Sequence, residues 1–285
     1  MFKIGVVANS FRKDFKGNIK AAAEAGVDGV QIYAVGGEFS PDSLDTKEKR
    51  REALDYIKSH GIVVSALCGD FGKGFWRSEL NPELIEKSKR IIDMALDFEC
   101  NVVTTHIGVV PEDKSNPRYE IMLKACTELA EYGQSIGAYF AVETGPEKSE
   151  TLRDFILDTG ASGLRVNLDP ANLAMVVGED SVHAAKVLAP LAVHTHAKDG
   201  VMLVSGDPEV IYGVKKPPEG SPKVQYFKEV PLGEGSVDFP QYLPALRDNG
   251  FSGFLTIERE VGEDPAKDIK MAVGFLRDII SKLGK

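Results

Sequence analysis

The feature that most constrains this chain is a recurring order of a helical segment, a glycine and a short apolar strand. The pattern appears at EAGVDGV, SHGIVVS, SIGAYFA and DNGFSGF. Glycine accepts the left-handed backbone conformation that ends a helix, so the chain can turn back at each repeat and enter a strand. Such alternation is typical of an α/β protein with a parallel sheet.

Eight short runs carry the strand signal. Each is rich in Val, Ile or Leu and nearly continuous in apolar character, as strands buried on both faces are. The runs are Lys3–Ala8, Asp28–Tyr33, Ile62–Leu67, Asn101–His106, Ala138–Glu143, Leu164–Asp169, Ala192–His196 and Gly253–Glu258. Helical patterns follow them at Gly17–Ala25, Thr46–His60, Pro82–Glu99, Asn116–Ile136, Ser149–Asp158, Ser181–Ala189, Asp238–Asp248 and Pro265–Leu283. Eight such units predict a (β/α)8 TIM barrel.

An open, doubly wound sheet is the main alternative to the barrel. It would require a glycine-rich phosphate turn after the first strand, where this chain has NSFRKDF. No linker or shift of composition divides the sequence, so we expect one domain over residues 1–285. The stretch 200–237 is long and rich in Pro and Gly, and we expect an elaborated loop after the seventh strand.

Charge and cysteine content narrow the classes of partner and the compartment. The formal net charge is −9, which disfavours binding to nucleic acid. Three widely spaced cysteines indicate a reducing compartment without a disulfide framework. No apolar stretch approaches the length of a membrane span, and the first residues do not have the pattern of a signal peptide. We therefore expect a cytoplasmic protein that does not bind membranes.

Candidate chemistry lies where the strands end, because barrels of this kind place their active sites at the C-terminal ends of the strands. The last four strands end in Glu143, Asp169, His196 and Glu258. Three converging carboxylates without a cation would repel one another, and a divalent metal ion resolves that conflict. Oxygen-rich ligands with one nitrogen favour Mn²⁺, Mg²⁺ or Co²⁺, with Zn²⁺ as a further alternative.

Each ligand candidate also has a plainer interpretation. Asp169 precedes Pro170 and fits a helix N-cap. Glu143 and Glu258 could form salt bridges in loops, and His196 or His194 could be a barrel histidine satisfied by hydrogen bonds. The metal interpretation depends on the occurrence of all four residues on successive strands.

The segments AVETG, VNLDPANL, VHTHAKD, PLGEGSVDF and GFLTIERE, in this order, resemble the xylose isomerase-like sugar phosphate isomerase and epimerase superfamily. This group also contains tagatose and psicose 3-epimerases, inosose dehydratase and endonuclease IV, and the resemblance covers essentially the whole chain. It implies that Glu143, Asp169, His196 and Glu258 bind the metal ion. One departure is Asn172, at a position where many members have histidine. The small number of histidines, five, argues against a three-zinc nuclease.

The resemblance implies a sugar or sugar phosphate isomerase or epimerase that acts on a ketose through a metal-stabilised cis-enediolate. Glu143 and Glu258 would exchange the proton while they bind the metal. The alternatives are an inosose-type dehydratase and a sugar-binding barrel without catalytic activity. Family members often pair, so a homodimer or homotetramer is expected.

Several further residues are candidates for contact with the substrate. Lys198 and His106 could bind sugar oxygens, with a solvated loop lysine and a barrel-packing histidine as the alternatives. Asn172 would take a neutral hydrogen-bonding role. Three aromatic residues in the loop after the third strand, Phe71, Phe75 and Trp76, could form an apolar wall for the sugar, with helix-packing anchors as the alternative. For an anionic group the candidates are Arg12, Lys73 and Arg77, although solvated positions are the favoured interpretation.

Overall fold

The apolar runs form strands that pair in parallel and close into a barrel. The computed structural model describes residues 2–283. Its strands are β1 (Lys3–Val7), β2 (Gly29–Tyr33), β3 (Val63–Cys68), β4 (Val102–Thr105), β5 (Tyr139–Glu143), β6 (Leu164–Leu168), β7 (Ala192–Ala197), β8 (Asp199–Met202), β9 (Phe227–Val230) and β10 (Phe254–Ile257). The barrel consists of β1 to β7 and β10, and β10 closes it by pairing with both β1 and β7. The predicted TIM barrel is therefore confirmed.

Helices connect the barrel strands, and their bounds agree with the predicted ones to within two residues. The predicted helices are α1 (Phe15–Ala25), α2 (Lys47–Ser59), α3 (Asn81–Asp97), α4 (Pro117–Ile136), α5 (Ser149–Asp158), α7 (Ser181–Leu188), α9 (Phe239–Asp248) and α10 (Pro265–Lys282). Two short helices were not predicted, α6 (Pro170–Val176) and α8 (Pro208–Ile211). Within residues 2–283, no helix combines the length and the apolar character that crossing a membrane requires.

Glycines end helices where the recurring pattern predicts it. Gly26 and Gly137 have φ angles of 79° and 75° at the C-termini of α1 and α4, and their N–H groups bond carbonyls of the last helical turn. A residue with a Cβ atom is disfavoured in this conformation. These two positions explain how the chain reverses direction before it enters β2 and β5.

The stretch 200–237 is more ordered than the predicted loop. β8 and β9 form an antiparallel pair beside the barrel, and α8 lies between them in the chain. Both strands have four residues, too few to show periodicity among the surrounding Pro and Gly residues. This hairpin and α8 supply part of the cavity described below.

The core occupies both faces of the barrel wall. Strand residues are buried along almost the whole length of each barrel strand, as the continuous apolar runs predict. Each helix contributes an apolar face, and on α3 this face includes Leu84, Ile85, Ile91 and Ile92. Complete burial of such a side chain stabilises the fold by roughly 1.5–3 kcal/mol. The barrel is therefore a rigid support for the side chains at its mouth.

Candidate metal centre

Four buried side chains converge at the C-terminal ends of the last four barrel strands. Glu143 is the last residue of β5, Asp169 follows β6, His196 lies near the end of β7, and Glu258 follows β10. Each offers one ligand atom, and these atoms lie within 4.8 Å of one another. Barrel closure thus brings together residues that are up to 115 positions apart in the sequence, from Glu143 to Glu258.

The ligand atoms surround a common point. His196 Nδ1 lies 3.4 Å from Glu143 Oε1, 3.5 Å from Asp169 Oδ2 and 3.4 Å from Glu258 Oε2. Two of these buried atoms, His196 Nδ1 and Asp169 Oδ2, have no hydrogen-bond partner among the described residues. Unpartnered polar atoms in the interior cost free energy, and here they face each other. A divalent cation would satisfy all four ligands, so the donor set fits a metal ion.

Asp169 combines the two roles considered from the sequence. Its Oδ1 accepts a hydrogen bond from the backbone N–H of Asn172 at 2.9 Å and so caps α6. Its Oδ2 is the unpartnered atom that points towards the other ligands. A hydrogen bond of 2.8 Å from the backbone N–H of Asp169 to Thr144 Oγ1 further holds the residue in place. The cap therefore orients the carboxylate instead of competing with a metal ion.

The orientation of His196 is set from the opposite side of the barrel. Its Nε2 lies 3.0 Å from Gln31 Oε1 on β2, which can only accept a hydrogen bond. In the neutral ring Nε2 therefore carries the proton, and the lone pair of Nδ1 faces the carboxylates. Such a partner fixes the tautomer that a metal ligand requires.

The side-chain amide of Asn167 holds Glu143 in place. Asn167 Nδ2 donates to Glu143 Oε2 at 3.2 Å, and Asn167 Oδ1 accepts from His194 Nδ1 at 2.9 Å. His194 Nε2 in turn accepts from Thr256 Oγ1 at 2.9 Å. His194 is therefore a neutral histidine satisfied by hydrogen bonds, and burial followed by the charge of His196 lowers its pKa well below the usual value.

The charges of the cluster attract a cation. Burial opposes charging of His196, but the negative charges of Glu143 and Glu258 outweigh it and raise its pKa well above the usual range. For Glu258, burial is outweighed by the charges of Lys198 and His196, which hold its pKa well below the usual range. A second proton, on His196 Nδ1, would therefore occupy the position that a metal ion would take, and the two would compete.

A cavity of about 210 Å³ opens onto the cluster. Its polar lining comes from Glu143 and Glu258 together with four further residues: His106, Asn172, Lys198 and Glu260. Its apolar lining comes from α6, α8 and β9 through Val176, Ile211, Tyr212 and Phe227. The cavity has the composition of a binding site for a small polar molecule, because polar and charged groups line it together with apolar side chains.

Comparison with known proteins decides the family. Residues 19–279 match the profile of xylose isomerase-like TIM barrels. The chain belongs to this family. A Haemophilus influenzae protein assigned provisionally as the L-ribulose-5-phosphate 3-epimerase SgbU is 24% identical over 88% of this chain and 90% of its own length.

Solved structures of similar fold cover nearly the whole chain. A xylose isomerase domain protein from Planctomyces limnophilus superposes with a TM-score of 0.79 at 24% identity, covering 99% of this chain and 98% of that one. A xylose isomerase-like TIM barrel protein from Mycobacterium smegmatis, solved in complex with magnesium, has a TM-score of 0.75 at 13% identity, with 99% and 98% covered. These structures establish the fold.

Lys198 is a buried residue of this xylose isomerase-like barrel and not a solvated loop lysine. Its side chain is 6% exposed, and its Nζ bonds Glu258 Oε2 at 2.9 Å and Glu260 Oε2 at 2.6 Å. Burial opposes its charge, but the negative charges, that of Glu258 first, raise its pKa well above the usual value. Lys198 is therefore an ammonium group paired with two carboxylates in the lining of the cavity.

His106 and Asn172 also line the cavity. His106 Nδ1 lies 3.0 Å from Asp70 Oδ2, and its Nε2 lies 3.6 Å from Glu143 Oε1. Asn172 Nδ2 donates to Glu143 Oε1 at 3.0 Å. Asn172 thus supports Glu143 from the position where many family members have histidine.

Phe71 and Trp76 do not line the cavity, so the apolar wall predicted from their loop is not found there. Trp76 packs against Gly108, and its ring lies under the guanidinium of Arg77. The ammonium of Lys87 lies 6.0 Å from the centre of the Phe71 ring. The wall comes instead from α8 and β9, inside the stretch that the sequence indicated only as a loop.

Gln31, Asn167 and Asp70 were missed by sequence reasoning. The first two are polar residues within apolar strand runs, GVQIY and LRVNL, and both are fully buried. A polar side chain in such a run is a usable signal, since a buried polar group requires a partner. Asp70 carries no comparable signal, because it lies in a loop.

Proposed function

We propose that this protein is a divalent metal-dependent sugar isomerase or epimerase that acts on a ketose. The observation that carries the proposal is the buried quartet of Glu143, Asp169, His196 and Glu258, with two unpartnered polar atoms facing each other beside a small polar cavity. The names of the relatives support it, since SgbU is assigned as a ribulose-phosphate 3-epimerase and a structural neighbour was solved with magnesium.

The quartet would hold Mn²⁺, Mg²⁺ or Co²⁺, with Zn²⁺ as a further alternative. When bound, the cation would polarise the carbonyl and the adjacent hydroxyl of an α-hydroxy ketone and so acidify the C–H bond between them. The protein's own part is to place a base beside that hydrogen and to exclude water. Burial of all four ligands is consistent with a site from which water is largely excluded.

Two carboxylates would move the proton. Glu143 on β5 and Glu258 after β10 belong to strands separated in the barrel by β6 and β7, so they approach a bound sugar from different sides. Return of the proton to the opposite face of the same carbon gives an epimer, whereas its return to the neighbouring carbon gives an isomer.

The surroundings of the two glutamates differ. Both oxygens of Glu143 accept side-chain amide hydrogen bonds, from Asn172 and Asn167. Glu258 Oε2 accepts from Lys198, while Glu258 Oε1 makes no hydrogen bond to any described residue. Glu258 thus has the freer oxygen, and we assign it the first proton removal.

The remaining polar residues would bind the substrate. Lys198 donates two of its three N–H bonds to Glu258 and Glu260, which leaves one for a sugar oxygen. His106 borders the same cavity and would contact a hydroxyl group. Tyr212 and Phe227 would cover the apolar face of the sugar.

Metal content and proton exchange test this function. Metal analysis of the purified protein should find one bound divalent ion, and Glu143→Gln and Glu258→Gln should both weaken its binding. In D₂O, the metal-loaded protein should introduce deuterium into a ketose substrate, and a chelator should stop the exchange. A metal-free protein that is fully active after chelation would refute the proposal.

Product analysis separates the proposed reaction from its alternatives. Epimerised or isomerised ketose from a panel of ketoses supports the proposal. A dehydrated product from a keto-inositol would indicate a dehydratase, and a bound sugar without deuterium incorporation would indicate a barrel that only binds.

A further inference from the structure

The charges around the cavity define the class of sugar more narrowly than the family does. This inference rests on the proposed function: we infer that the substrate is an uncharged ketose or keto-polyol that carries neither a phosphate nor a carboxylate group. The assigned substrate of SgbU is a sugar phosphate, so the inference separates this chain from that relative.

The cationic groups of the cavity are already paired with carboxylates. Of the described residues that line it, Lys198 and His106 are the cationic ones. Lys198 lies between Glu258 and Glu260, and His106 lies against Asp70 and Glu143. No lining residue is an arginine, the side chain that best matches the geometry of a phosphate group.

The balance of charge stays negative when a metal ion is added. Five carboxylates, those of Glu143, Asp169, Glu258, Glu260 and Asp70, outnumber the three positive charges that a divalent ion and Lys198 bring, and the ring of His106 is already in contact with two of these carboxylates. A phosphate dianion would enter a small cavity against this negative charge and would lose its hydration without gaining a free cation.

A ring of backbone N–H groups in the segment after the seventh barrel strand is occupied by a carboxylate of the protein itself. Phosphate often binds to the loops after the seventh and eighth barrel strands. Here the carboxylate of Asp199, the first residue of β8, accepts backbone N–H bonds of 2.9 Å from Gly233, 3.0 Å from Gly235 and 3.1 Å from Val237. A fourth comes from Gly200 at 2.9 Å.

Asp199 is fully buried, so these donors are not available to a ligand. A Cβ atom at Gly235 would collide with the carboxylate, so the loop is closely fitted to it. Such a ring of N–H groups is an anion-binding nest, and its anion is part of the chain. The motif PLGEG therefore helps to hold Asp199 at the start of the β8–β9 hairpin, and this nest is not available to a phosphate group.

The basic residues that the sequence suggested for an anionic group act elsewhere. The guanidinium of Arg12 donates to the backbone carbonyls of Glu260 and Gly262. Arg77 donates to the carbonyl of Lys73 and lies over the Trp76 ring. None of Arg12, Lys73 and Arg77 lines the cavity.

Direct binding distinguishes this inference from the proposed function. The full chain, loaded with Mn²⁺ and freed of excess ion, is titrated calorimetrically with L-ribulose and L-ribulose 5-phosphate, and with D-fructose and D-fructose 6-phosphate. We expect the free ketose of at least one pair to bind about tenfold or more tightly than its phosphate, equivalent to about 1.4 kcal/mol. Equal or tighter binding of the phosphates, or no binding of any of the four sugars, overturns the inference.

A charge variant strengthens the test. Glu260→Gln removes one negative charge from the cavity and the carboxylate partner of Lys198 at that position. The ratio of the Kd of the sugar phosphate to the Kd of the free sugar should therefore fall. Glu263→Gln, an exposed position outside the cavity lining, is the matched control and should leave the preference unchanged. An unaltered preference in Glu260→Gln contradicts the electrostatic argument.

Deuterium exchange run on the same sugars keeps the two proposals apart. Preferred binding of a free ketose without exchange would refute the proposed function and support the inferred substrate class. Deuterium exchange that occurs only with a sugar phosphate would support the proposed isomerase or epimerase function and refute the inferred class of uncharged substrates.

Discussion

Two clusters of the same residue types lie at the same end of the molecule, and they differ in whether their atoms have partners. The first is the buried quartet of Glu143, Asp169, His196 and Glu258. The second consists of Glu150, Glu179 and His183, whose possible ligand atoms also lie within 4.8 Å of one another. Residue type and distance therefore do not separate a candidate metal site from other arrangements.

The second cluster is satisfied by its own neighbours. Glu179 accepts hydrogen bonds from the backbone N–H and the hydroxyl of Ser149, the first residue of α5. His183 Nε2 lies 2.6 Å from Glu150 Oε1, and both residues are partly exposed. A negative charge at the start of a helix stabilises it, so this cluster has a structural role at α5. The first cluster therefore differs from the second in its unpartnered buried atoms, His196 Nδ1 and Asp169 Oδ2, and these mark it as the candidate metal site.

The largest expected difference is in catalysis. Glu258→Gln should lower kcat about 10²–10⁴-fold, because a general base is lost from the reacting carbon. Glu179→Gln, the matched change in the second cluster, should leave kcat within about twofold, since Glu179 does not line the cavity. Steady-state kinetics on the best ketose measures both, and similar losses in the two variants would remove the distinction between the clusters.

Glu147 lies in the chain between Glu143 of the first cluster and Glu150 of the second, and it tests what burial does to a carboxylate that has no ion-pair partner within salt-bridge distance among the described residues. Burial is the largest influence on it and raises its pKa to about 8, from an ordinary 4.5. Its Oε2 accepts from the backbone N–H of Val110, and its Oε1 has no partner among the described residues.

Because the folded-state pKa of Glu147 is above the unfolded value, the folded protein holds the extra proton between these values and loses stability as pH rises from about 4.5 to 8. Glu147→Gln removes that cost, so at pH 8 the free energy of unfolding should rise by an amount on the order of 4 kcal/mol, with little change at pH 4.5. Urea unfolding at several pH values measures it, with exposed Glu112→Gln as control. An unchanged pH profile would refute this prediction.

The affinity for a metal ion should depend on Asn167, because its side chain donates a hydrogen bond to the ligand Glu143. Asn167→Ala removes a hydrogen bond to Glu143 and the partner of His194 Nδ1, so Mn²⁺ should bind about 10–100-fold more weakly. The matched control is Asn101→Ala at an exposed position. Competition with a metallochromic chelator gives the affinities, and equal values for the two variants would show that Asn167 does not orient the ligands.

The smallest effect is expected for the cap of α5. Glu179→Ala leaves the Ser149 N–H without its acceptor and should lower the free energy of unfolding by about 1 kcal/mol. Metal content should stay at that of the unaltered protein. Loss of a bound ion in this variant would show that the second cluster binds metal after all.

The strand order and the four strand-end residues were predictable because they depend on local pattern. Apolar runs, helix-ending glycines and the rule that barrel sites lie at C-terminal strand ends are all readable in the chain. The helix bounds followed from the same local signals. The short elements β8, β9, α6 and α8 were missed, because four to seven residues show too little periodicity.

The sequence by itself determined which side chains meet at the barrel mouth, since parallel strands in a closed barrel must end on one rim. Only the tertiary structure decided what each of them does. The proton on His196 is placed by Gln31, 165 residues away, and the Asp199 carboxylate occupies a nest made 34 to 38 residues later. Such contacts arise from barrel closure and side-chain packing, for which no local pattern of residues carries a signal. For the same reason, the charge of the cavity and the class of sugar inferred from it were visible only in the folded chain.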